Sequence, residues 1–251
     1  MDKKMRIVSD MKKGDVCIAW FSCGVTSAVA TKLAIDWYDD VEVFYIDTGG
    51  EHPDNKRFLK DCQEWFGKKV HVRKSQDYAN PMDVYTKTRF LNGASGARCT
   101  LELKKKVRWE IEDELVVWKS QIFGFDNSEE KRFKRFREQN PKTRALAPLI
   151  SMNLDKASCL ALLQREGIEI PAMYKLGFHN NNCIGCVKGG KGYWCAIRKH
   201  FPDVFNSMAK IEREIGHSCI KGCFLDELGE YNLPPIVPSC SIFCDPDFLD
   251  I

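Results

Sequence analysis

Two short runs of apolar residues near the start of the chain predict strands that are buried on both faces. Residues 16–21 (Val-Cys-Ile-Ala-Trp-Phe) and 41–46 (Val-Glu-Val-Phe-Tyr-Ile) are almost entirely apolar. Runs of this kind are typical of parallel sheets, whose two faces are covered by helices. Polar residues end both runs, at 22–27 and at 47–50. We therefore expect two buried strands, each followed by a polar loop.

Apolar residues at helical spacing follow each of these loops. Residues 28–38 are rich in alanine, and residues 55–66 carry Phe58 and Phe66 on one stripe. A third short apolar run, at 70–72, predicts another strand. The order strand, helix, strand, helix, strand predicts an α/β fold with a doubly wound, mostly parallel sheet.

The pattern of the remaining chain predicts one α/β domain with an extension. In chain order we expect a helix at 100–115, a strand at 118–125 and helices at 154–166 and 202–215. After Gly177 the sequence changes to loops rich in Asn, Gly and Cys. We therefore expect a nucleotide-binding α/β domain over residues 1–175 and a cysteine-rich C-terminal extension over residues 176–251.

Composition narrows the class of protein. The 251 residues include 38 Lys and Arg against 35 Asp and Glu, which gives a formal charge of +3. That balance does not suit a protein whose main task is to coat nucleic acid, but it leaves room for a local basic patch. No apolar run approaches the roughly 20 residues of a membrane span, and residues 1–5 lack the apolar core of a signal peptide. We expect a cytoplasmic protein without membrane contact.

The chain contains twelve cysteines, and their distribution is uneven. Seven of them fall between Cys183 and Cys244. Because a cytoplasmic compartment keeps thiols reduced, this clustering predicts a metal or redox site in the C-terminal third and not a set of disulfides. Cys17, Cys62 and Cys159 lie inside apolar segments, where we expect them to act as small packing residues.

The polar loop after the first strand has the features of a phosphate-binding turn. It reads Ser22-Cys23-Gly24-Val25-Thr26-Ser27 and leads into a helix. Gly24 lets the backbone approach an anion, and the first N–H groups of the helix attract negative charge. The hydroxyls of Ser22, Thr26 and Ser27 add donors. The loop is neither a Walker A nor a GxGxxG motif, and an ordinary polar turn with a helix cap is the alternative.

A second polar loop follows the next strand. It contains Asp47, Thr48 and Gly49. Because ligands of open α/β sheets bind at the carboxyl ends of the strands, two polar loops on neighbouring strands predict a nucleotide crevice.

The two loops together resemble the phosphoadenosine phosphosulfate (PAPS) reductase family, part of the adenine nucleotide alpha-hydrolase or PP-loop group. The resemblance continues through Gly124-Phe125-Asp126, residues 147–150 and the ending at 238–244. It implies an adenine nucleotide, ATP or PAPS, bound over the sheet edge, and a Mg²⁺ ion accompanying the nucleotide is a further expectation. Gly124 would belong to the same nucleotide site.

The resemblance also implies roles for the loop residues. Ser22, Gly24 and Ser27 would face the phosphates, with Asp47 and Thr48 near the ribose or base. Gly49 would lie in the same loop.

The chain departs from the pyrophosphatase form of the loop, which reads Ser-Gly-Gly-x-Asp-Ser. Cys23 replaces a glycine and Thr26 replaces the aspartate. These departures favour the reductase-like branch over cleavage of ATP.

A strongly charged segment follows Gly124-Phe125-Asp126. Residues 128–138 carry five basic and three acidic side chains, with phenylalanines between them. One interpretation is a cationic flap over nucleotide phosphates or a nucleic-acid backbone, with Lys131, Arg132 and Arg137 as candidates. The other is a solvated helix face with ion pairs four residues apart.

The sequence Cys183-Ile-Gly-Cys186 is the strongest indication of a metal site. Two thiolates on a glycine-containing turn can reach one ion or cluster, but four ligands are normally needed. From the residues alone Zn²⁺, an iron–sulfur cluster and unmetallated thiols stay open. The resemblance favours a 4Fe–4S cluster over zinc. The further candidates are Cys99, Cys195, the Cys219–Cys223 pair and the Cys240–Cys244 pair. Our ligand set is Cys183, Cys186, Cys240 and Cys244, with Cys99 and Cys195 as substitutes.

The C-terminal cysteines have a competing role. The reductase family carries a C-terminal Glu-Cys-Gly-Leu-His segment whose thiol attacks the sulfonucleotide, and Cys240 is the matching position. The Glu and the His are absent here, and Cys244 is additional. Cys240 and Cys99 are the candidate catalytic thiols.

Three hypotheses follow. The first is a PAPS-reductase-like enzyme that carries out sulfur transfer or sulfonucleotide reduction, with a thiol or an electron-donor protein as partner. The second is an ATP-dependent enzyme that thiolates or otherwise modifies a nucleic-acid base and forms AMP and pyrophosphate. The third, of another class, is a non-catalytic module that binds a nucleotide or nucleic acid and holds a structural zinc.

Overall fold

The computed structural model describes residues 16–94, 96–115 and 120–231. In these residues the strands are β1 Cys17–Trp20, β2 Val41–Ile46, β3 Val70–Arg73, β4 Asn92–Gly93, β5 Gly96–Ala97, β6 Ser120–Ile122 and β7 Ala145–Leu146.

The helices alternate with the strands over the first half of the chain. They are α1 Val25–Trp37, α2 Asn55–Phe66, α3 Pro81–Thr88, α4 Arg98–Thr100, α5 Lys106–Glu114, α6 Glu130–Gln139, α7 Pro148–Met152, α8 Lys156–Arg165, α9 Ala172–Lys175, α10 Lys191–His200 and α11 Pro202–Ile215. A π-helical turn, Leu101–Lys105, joins α4 to α5, and the 3-10 turns are Asn127–Glu129 and Leu225–Glu227.

Five strands form a parallel sheet in the order β3-β2-β1-β6-β7. Cys17 at the start of the central strand is paired with Val41 of β2 on one side and with Ser120 of β6 on the other. The predicted α/β fold with a mostly parallel, doubly wound sheet is confirmed.

The central strand is buried on both faces because every one of its side chains is apolar. Cys17, Ile18 and Ala19 are inaccessible to solvent, and Trp20 is nearly so. The indole N–H of Trp20 donates to the buried amide oxygen of Gln121 at 2.8 Å, so the polar group of the indole is satisfied inside the sheet.

The strand order creates a switch point between β1 and β6. From β1 the chain builds the sheet outward through β2 to β3, and then returns to the other side of β1 for β6 and β7. In such sheets the ligand crevice lies outside the carboxyl ends of the strands at this position. The loops that follow β1 and β6 are therefore the natural places for a nucleotide site.

The described chain packs as two compact units. The first comprises residues 16–46, Asp54–Arg73, 110–115 and 120–171, and includes the parallel sheet. The second comprises Asp47–Pro53 and residues 74–94, 96–109 and 172–231. The chain leaves the first unit for the last time after Pro171, and the second unit includes two earlier segments of the chain.

The second unit has its own apolar core. Its largest inaccessible side chains are Trp194, Tyr85 and Tyr193, which pack with residues of α3, α10 and α11. The helix α10 was not expected from the sequence, and neither were α3 and the hairpin β4–β5. Among the described helices, none has the length and apolar character needed to cross a membrane.

Candidate functional site

The hydroxyl of Ser27 holds the loop after β1 in its conformation. Its Oγ accepts hydrogen bonds from the backbone N–H groups of Ser22 at 3.1 Å and Gly24 at 3.2 Å, and it donates to the Gly24 carbonyl at 2.9 Å. Ser27 is buried. The side chain predicted to face a phosphate is thus engaged within the loop, where it shapes the turn.

The rest of the loop suits an anion. Ser22 is exposed and its hydroxyl donates to Ser27 Oγ at 3.1 Å, and Thr26 is half-buried. The helix α1 that follows is 13 residues long and has no acidic side chain in its first turn, so the positive end of its dipole is not neutralised by a carboxylate. Backbone and hydroxyl groups at this end of α1 can bind a phosphate.

Cys23 occupies the turn in a left-handed conformation. Its φ is +58°, a region that residues with a Cβ enter at a cost of roughly 1–2 kcal/mol. The thiol is fully buried, with Sγ 3.9 Å from the Asn55 carbonyl oxygen. The pyrophosphatase form of the loop has glycine at this position, which a left-handed backbone angle favours.

Gly124, after β6, lies directly against the start of α1. A Cβ on Gly124 would stand 2.7 Å from both the backbone N and the Cα of Ser27. A side chain at this position would push the first turn of the helix away. The glycine that the sequence assigned to the nucleotide site is therefore required by packing between the β6 loop and the phosphate loop.

The loop that follows β2 is closed by its own side chains. Asp47 Oδ1 accepts from the Gly49 N–H at 2.9 Å. Gly49 has a φ of +70°, and a Cβ there would lie 2.2 Å from the Ala79 carbonyl oxygen. Thr48 Oγ1 lies 3.1 Å from Cys183 Sγ. Thr48, expected near the ribose or base, is thus in contact with a thiol of the predicted metal site.

A buried tyrosine organises the Cys183–Cys186 turn. Tyr193 Oη donates to the Cys183 carbonyl at 3.0 Å and accepts from the Cys186 N–H at 2.9 Å. Burial raises the pKa of the Tyr193 phenol well above its usual range, so the hydroxyl keeps its proton for this bridge. Gly189 permits the arrangement, since a Cβ there would lie 2.0 Å from the Tyr193 ring.

The backbone fixes the same turn to the Asp47–Pro53 segment. Ile184 N–H donates to the Gly50 carbonyl at 2.8 Å. Gly185 has a φ of +77°, and a Cβ there would approach Val204 Cγ1 to 2.7 Å. The Cys-x-x-Cys turn is therefore held rigidly, which is the condition for presenting two thiols in a fixed geometry.

A third thiol opens on the same cleft. Tyr85 Oη donates to Cys99 Sγ at 3.0 Å, and this tyrosine is also buried. Burial, followed by the charges of Cys99 and Cys186, raises the pKa of Tyr85 well above its usual range. The cleft in the second unit is lined by Thr48, Pro81, Tyr85, Cys99, Thr100, Leu103, Lys104, Cys183, Gly185 and Cys186.

Thiols are the candidate metal ligands among the residues that line this cleft. In the described part of the chain no three His, Cys, Asp or Glu side chains converge closely enough for one metal ion. The residues Cys99, Cys183 and Cys186 line the same cleft, and thiolates are ligands of both zinc and iron–sulfur clusters. Thr100 and Lys104 also line the cleft, while the Thr48 hydroxyl donates to Glu51 Oε1 at 2.7 Å.

The other described cysteines are placed differently. Cys17, Cys62 and Cys159 are fully buried, as expected of packing residues, and burial raises the pKa of the Cys159 thiol to about 12. Cys195 and Cys223 do not line the cleft. No disulfide joins any two of the ten described cysteines.

Cys219 is held in the second unit by a buried carboxylate. Glu212 accepts hydrogen bonds from the backbone N–H groups of Cys219 at 2.5 Å and Leu225 at 2.7 Å. Burial and this carboxylate raise the pKa of the Cys219 thiol. The predicted ligands Cys240 and Cys244 lie outside the described residues.

The charged segment forms α6, and its cations differ in environment. Arg132 forms an ion pair with Glu129, and its guanidinium lies 5.2 Å from the centroid of the Phe125 ring. Lys131 and Arg137 are exposed and line a groove beside α6. The three candidates therefore do not form one group.

Sequence reasoning missed the groups that hold the thiols. The aromatic character of Tyr193 predicts only a packing residue, and nothing in the sequence singles out Tyr85. The sequence does show that Tyr193 follows Cys186 by only seven residues. Without the fold, nothing indicates that its hydroxyl turns back toward the cysteines.

Comparisons with known proteins agree with the fold. The family model described as "Phosphoadenosine phosphosulfate reductase domain" matches residues 16–190. An uncharacterized protein of Methanocaldococcus jannaschii is 23% identical over 212 residues, which cover 78% of this chain and 47% of that protein. The chain thus spans about half the length of this relative.

Two solved structures are also similar. A phosphoadenylyl-sulfate (PAPS) reductase from Candida auris, solved as a phosphate complex, superposes with a TM-score of 0.54 at 14% identity and covers 73% of this chain and 88% of that one. The U34-tRNA thiolase NcsA from Methanococcus maripaludis, with its [4Fe-4S] cluster, has a TM-score of 0.43 at 14% identity and covers 86% and 77%.

The left-handed conformation of Cys23 gives a testable prediction. Cys23→Gly is expected to be more stable than Cys23→Ala by about 1 kcal/mol, because both variants lose the thiol but only alanine keeps the unfavourable backbone angle. Urea unfolding of the two variants measures the difference. Equal stability, or a more stable alanine variant, would contradict the positive φ.

Proposed function

Because the chain belongs to the phosphoadenosine phosphosulfate reductase domain family, we propose that it is an enzyme that binds an adenine nucleotide and performs sulfur chemistry. The reaction is sulfur transfer or reduction of a sulfonucleotide. Family membership makes a nucleotide ligand and sulfur-related chemistry the expectation for this chain. PAPS is favoured over ATP as this nucleotide because Cys23 and Thr26 stand where ATP-cleaving loops have Gly and Asp.

One observation carries the proposal: three thiols from two distant chain segments line a single cleft. Cys99 comes from α4, and Cys183 and Cys186 come from a turn more than 80 residues later in the sequence. Each segment is held by the hydroxyl of a buried tyrosine. Packing alone does not require thiols at these positions, whereas a sulfur-ligated centre does.

We propose that Cys99, Cys183 and Cys186 hold a 4Fe–4S cluster. Three of the four usual thiolate ligands are thereby assigned, and Cys240 and Cys244 stay the predicted candidates for the fourth. A bound cluster supplies a redox centre. Zn²⁺ is the alternative occupant. Cys240 as the nucleophilic thiol stays a prediction, since metal ligand and nucleophile exclude each other in one state.

The nucleotide is proposed to bind at the loop after β1, at the switch point of the sheet. Ser22 and Thr26 present hydroxyls there, and Ser27 keeps the loop in shape. Asp47, Thr48 and Gly49 follow the neighbouring strand.

We predict that Gly124→Ala weakens nucleotide binding by about tenfold or more, because the added methyl group would displace the Ser27 backbone from the start of α1. Equilibrium binding of ATP and PAPS to the full chain measures the loss. Gly229→Ala is the control, since a Cβ there meets nothing closer than 3.9 Å. Unchanged affinity of Gly124→Ala for both nucleotides would argue against this loop as the site.

We predict that anaerobically purified protein contains iron and sulfide and absorbs broadly in the visible range. Cys99→Ser and Cys186→Ser should each lose most of the iron, because each removes a thiolate from the cleft. Cys223→Ser, whose sulfur lies elsewhere in the second unit, is the control and should keep it. If the protein is colourless and contains about one zinc per chain, the cluster assignment is wrong and the site holds a structural zinc.

Product analysis tests the reaction itself. With PAPS and dithiothreitol under anaerobic conditions we expect release of sulfite, because the thiols supply the two electrons and are oxidised to a disulfide. A parallel incubation with ATP and RNA detects AMP and pyrophosphate, which would favour base modification instead. If iron-loaded protein releases no sulfite from PAPS and forms no AMP and pyrophosphate from ATP, the enzymatic proposal is overturned in favour of a binding module.

A further inference from the structure

A basic groove lies in the first unit, beside helix α6. Its walls are α6, the 141–144 segment and the edge strand β7. Five basic side chains line it against two acidic ones; the basic residues are Lys131, Lys134, Arg137, Lys142 and Arg144. The near-neutral net charge of the chain therefore conceals a strong local excess of positive charge.

Most of these cations are available to an external partner. Lys131, Lys134, Arg137 and Lys142 are exposed. None of these four forms an ion pair with another residue in the described segments, although glutamates of the same helix lie at suitable spacing. By contrast, Arg132 on the same helix is paired with Glu129. The Arg132–Glu129 pair is of the kind expected on a solvated helix face, whereas the four exposed cations keep charge that no ion pair among the described residues neutralises.

The cations are arranged in a row. Lys131, Lys134 and Arg137 follow one another at intervals of three residues, so they extend over about 9 Å along the helix axis. A single phosphate or sulfate group cannot contact charges spread over this length. A polymer with regularly spaced anionic groups can do so, and phosphodiesters repeat at roughly 3–4 Å along each strand of a duplex.

An aromatic ring lies among the charges. Phe133 is half-buried, lines the groove, and packs at 5.3 Å from the centroid of Phe125. Its partly accessible face offers a surface for a base or ribose, as aromatic residues do in proteins that bind single strands. An acidic peptide would use the cations but has no regular use for this ring.

We propose that this groove binds the phosphodiester backbone of a nucleic acid. The proposal goes beyond the nucleotide site and does not depend on it, since the groove is built from α6, the 141–144 segment and β7, while the nucleotide is assigned to the loop after β1. RNA and DNA share the backbone chemistry, and the experiment separates them.

The test uses the full chain and fluorescent single strands of about 16 nucleotides, one RNA and one DNA, in fluorescence-anisotropy titrations at several NaCl concentrations. Four phosphate contacts predict that log Kd rises with log salt with a slope of about 3. Between about 50 and 200 mM NaCl, affinity should therefore fall by roughly 50-fold. The strand with the higher affinity identifies the preferred nucleic acid.

Charge-neutralising variants locate the binding surface. Lys134→Gln with Lys142→Gln should reduce the salt slope by about half and weaken binding by roughly tenfold or more. Lys56→Gln with Lys60→Gln removes the same charge from the exposed side of α2 and should leave binding unchanged. Both double variants should bind ATP and PAPS like the wild type. Loss of nucleic-acid binding at the groove can therefore be distinguished from loss of nucleotide binding.

Three results would overturn the proposal. The first is no binding of either strand by the wild type at about 50 mM NaCl, where electrostatic contacts are strongest. The second is equal loss in the two double variants, which would indicate general surface charge. The third is competition by polyglutamate as effective as by unlabelled RNA, which would assign the groove to acidic proteins.

Discussion

The complete burial of β1 determines where this molecule can act. A strand enclosed between two neighbours and covered on both faces offers no side chain to a ligand along its length. A ligand can be contacted only where the strand ends, and at that point the chain turns sharply into α1. Ser27 closes that turn from inside, Cys23 accepts a left-handed backbone to complete it, and Gly124 gives it room. Three neighbouring constraints thus build one loop.

In the second unit, tyrosine hydroxyl groups hold the thiols in position. Thiols that are to share a cleft must be held at fixed positions, and cysteine side chains make weak hydrogen bonds. Tyr193 bridges the two ends of the Cys183–Cys186 turn through backbone groups, and Tyr85 donates to Cys99 directly. Because both phenols are buried, they stay protonated and the bridges persist across the physiological pH range.

The sequence predicted regular elements well where one hydrophobic period dominated. β2, α2 and α11 begin and end where the pattern indicates, and the parallel sheet follows from the order of these elements. α10 was missed because the glycines and cysteines before it resemble a long loop. The partner of Thr48 was also beyond reach, since its contact with Cys183 joins residues 135 positions apart. Long-range pairing leaves no periodic trace in a sequence.

Residue type alone also does not distinguish side chains that hold a site in shape from those that can bind its ligand. Ser27 and Arg132 have the chemistry of phosphate ligands, yet the structure engages Ser27 in its own loop and Arg132 with Glu129. Lys131 and Arg137 have the same chemistry and are exposed along a groove. The difference lies in which donors the fold has already satisfied. A cation or hydroxyl with no internal partner retains its capacity for a ligand, and that capacity is a property of tertiary structure.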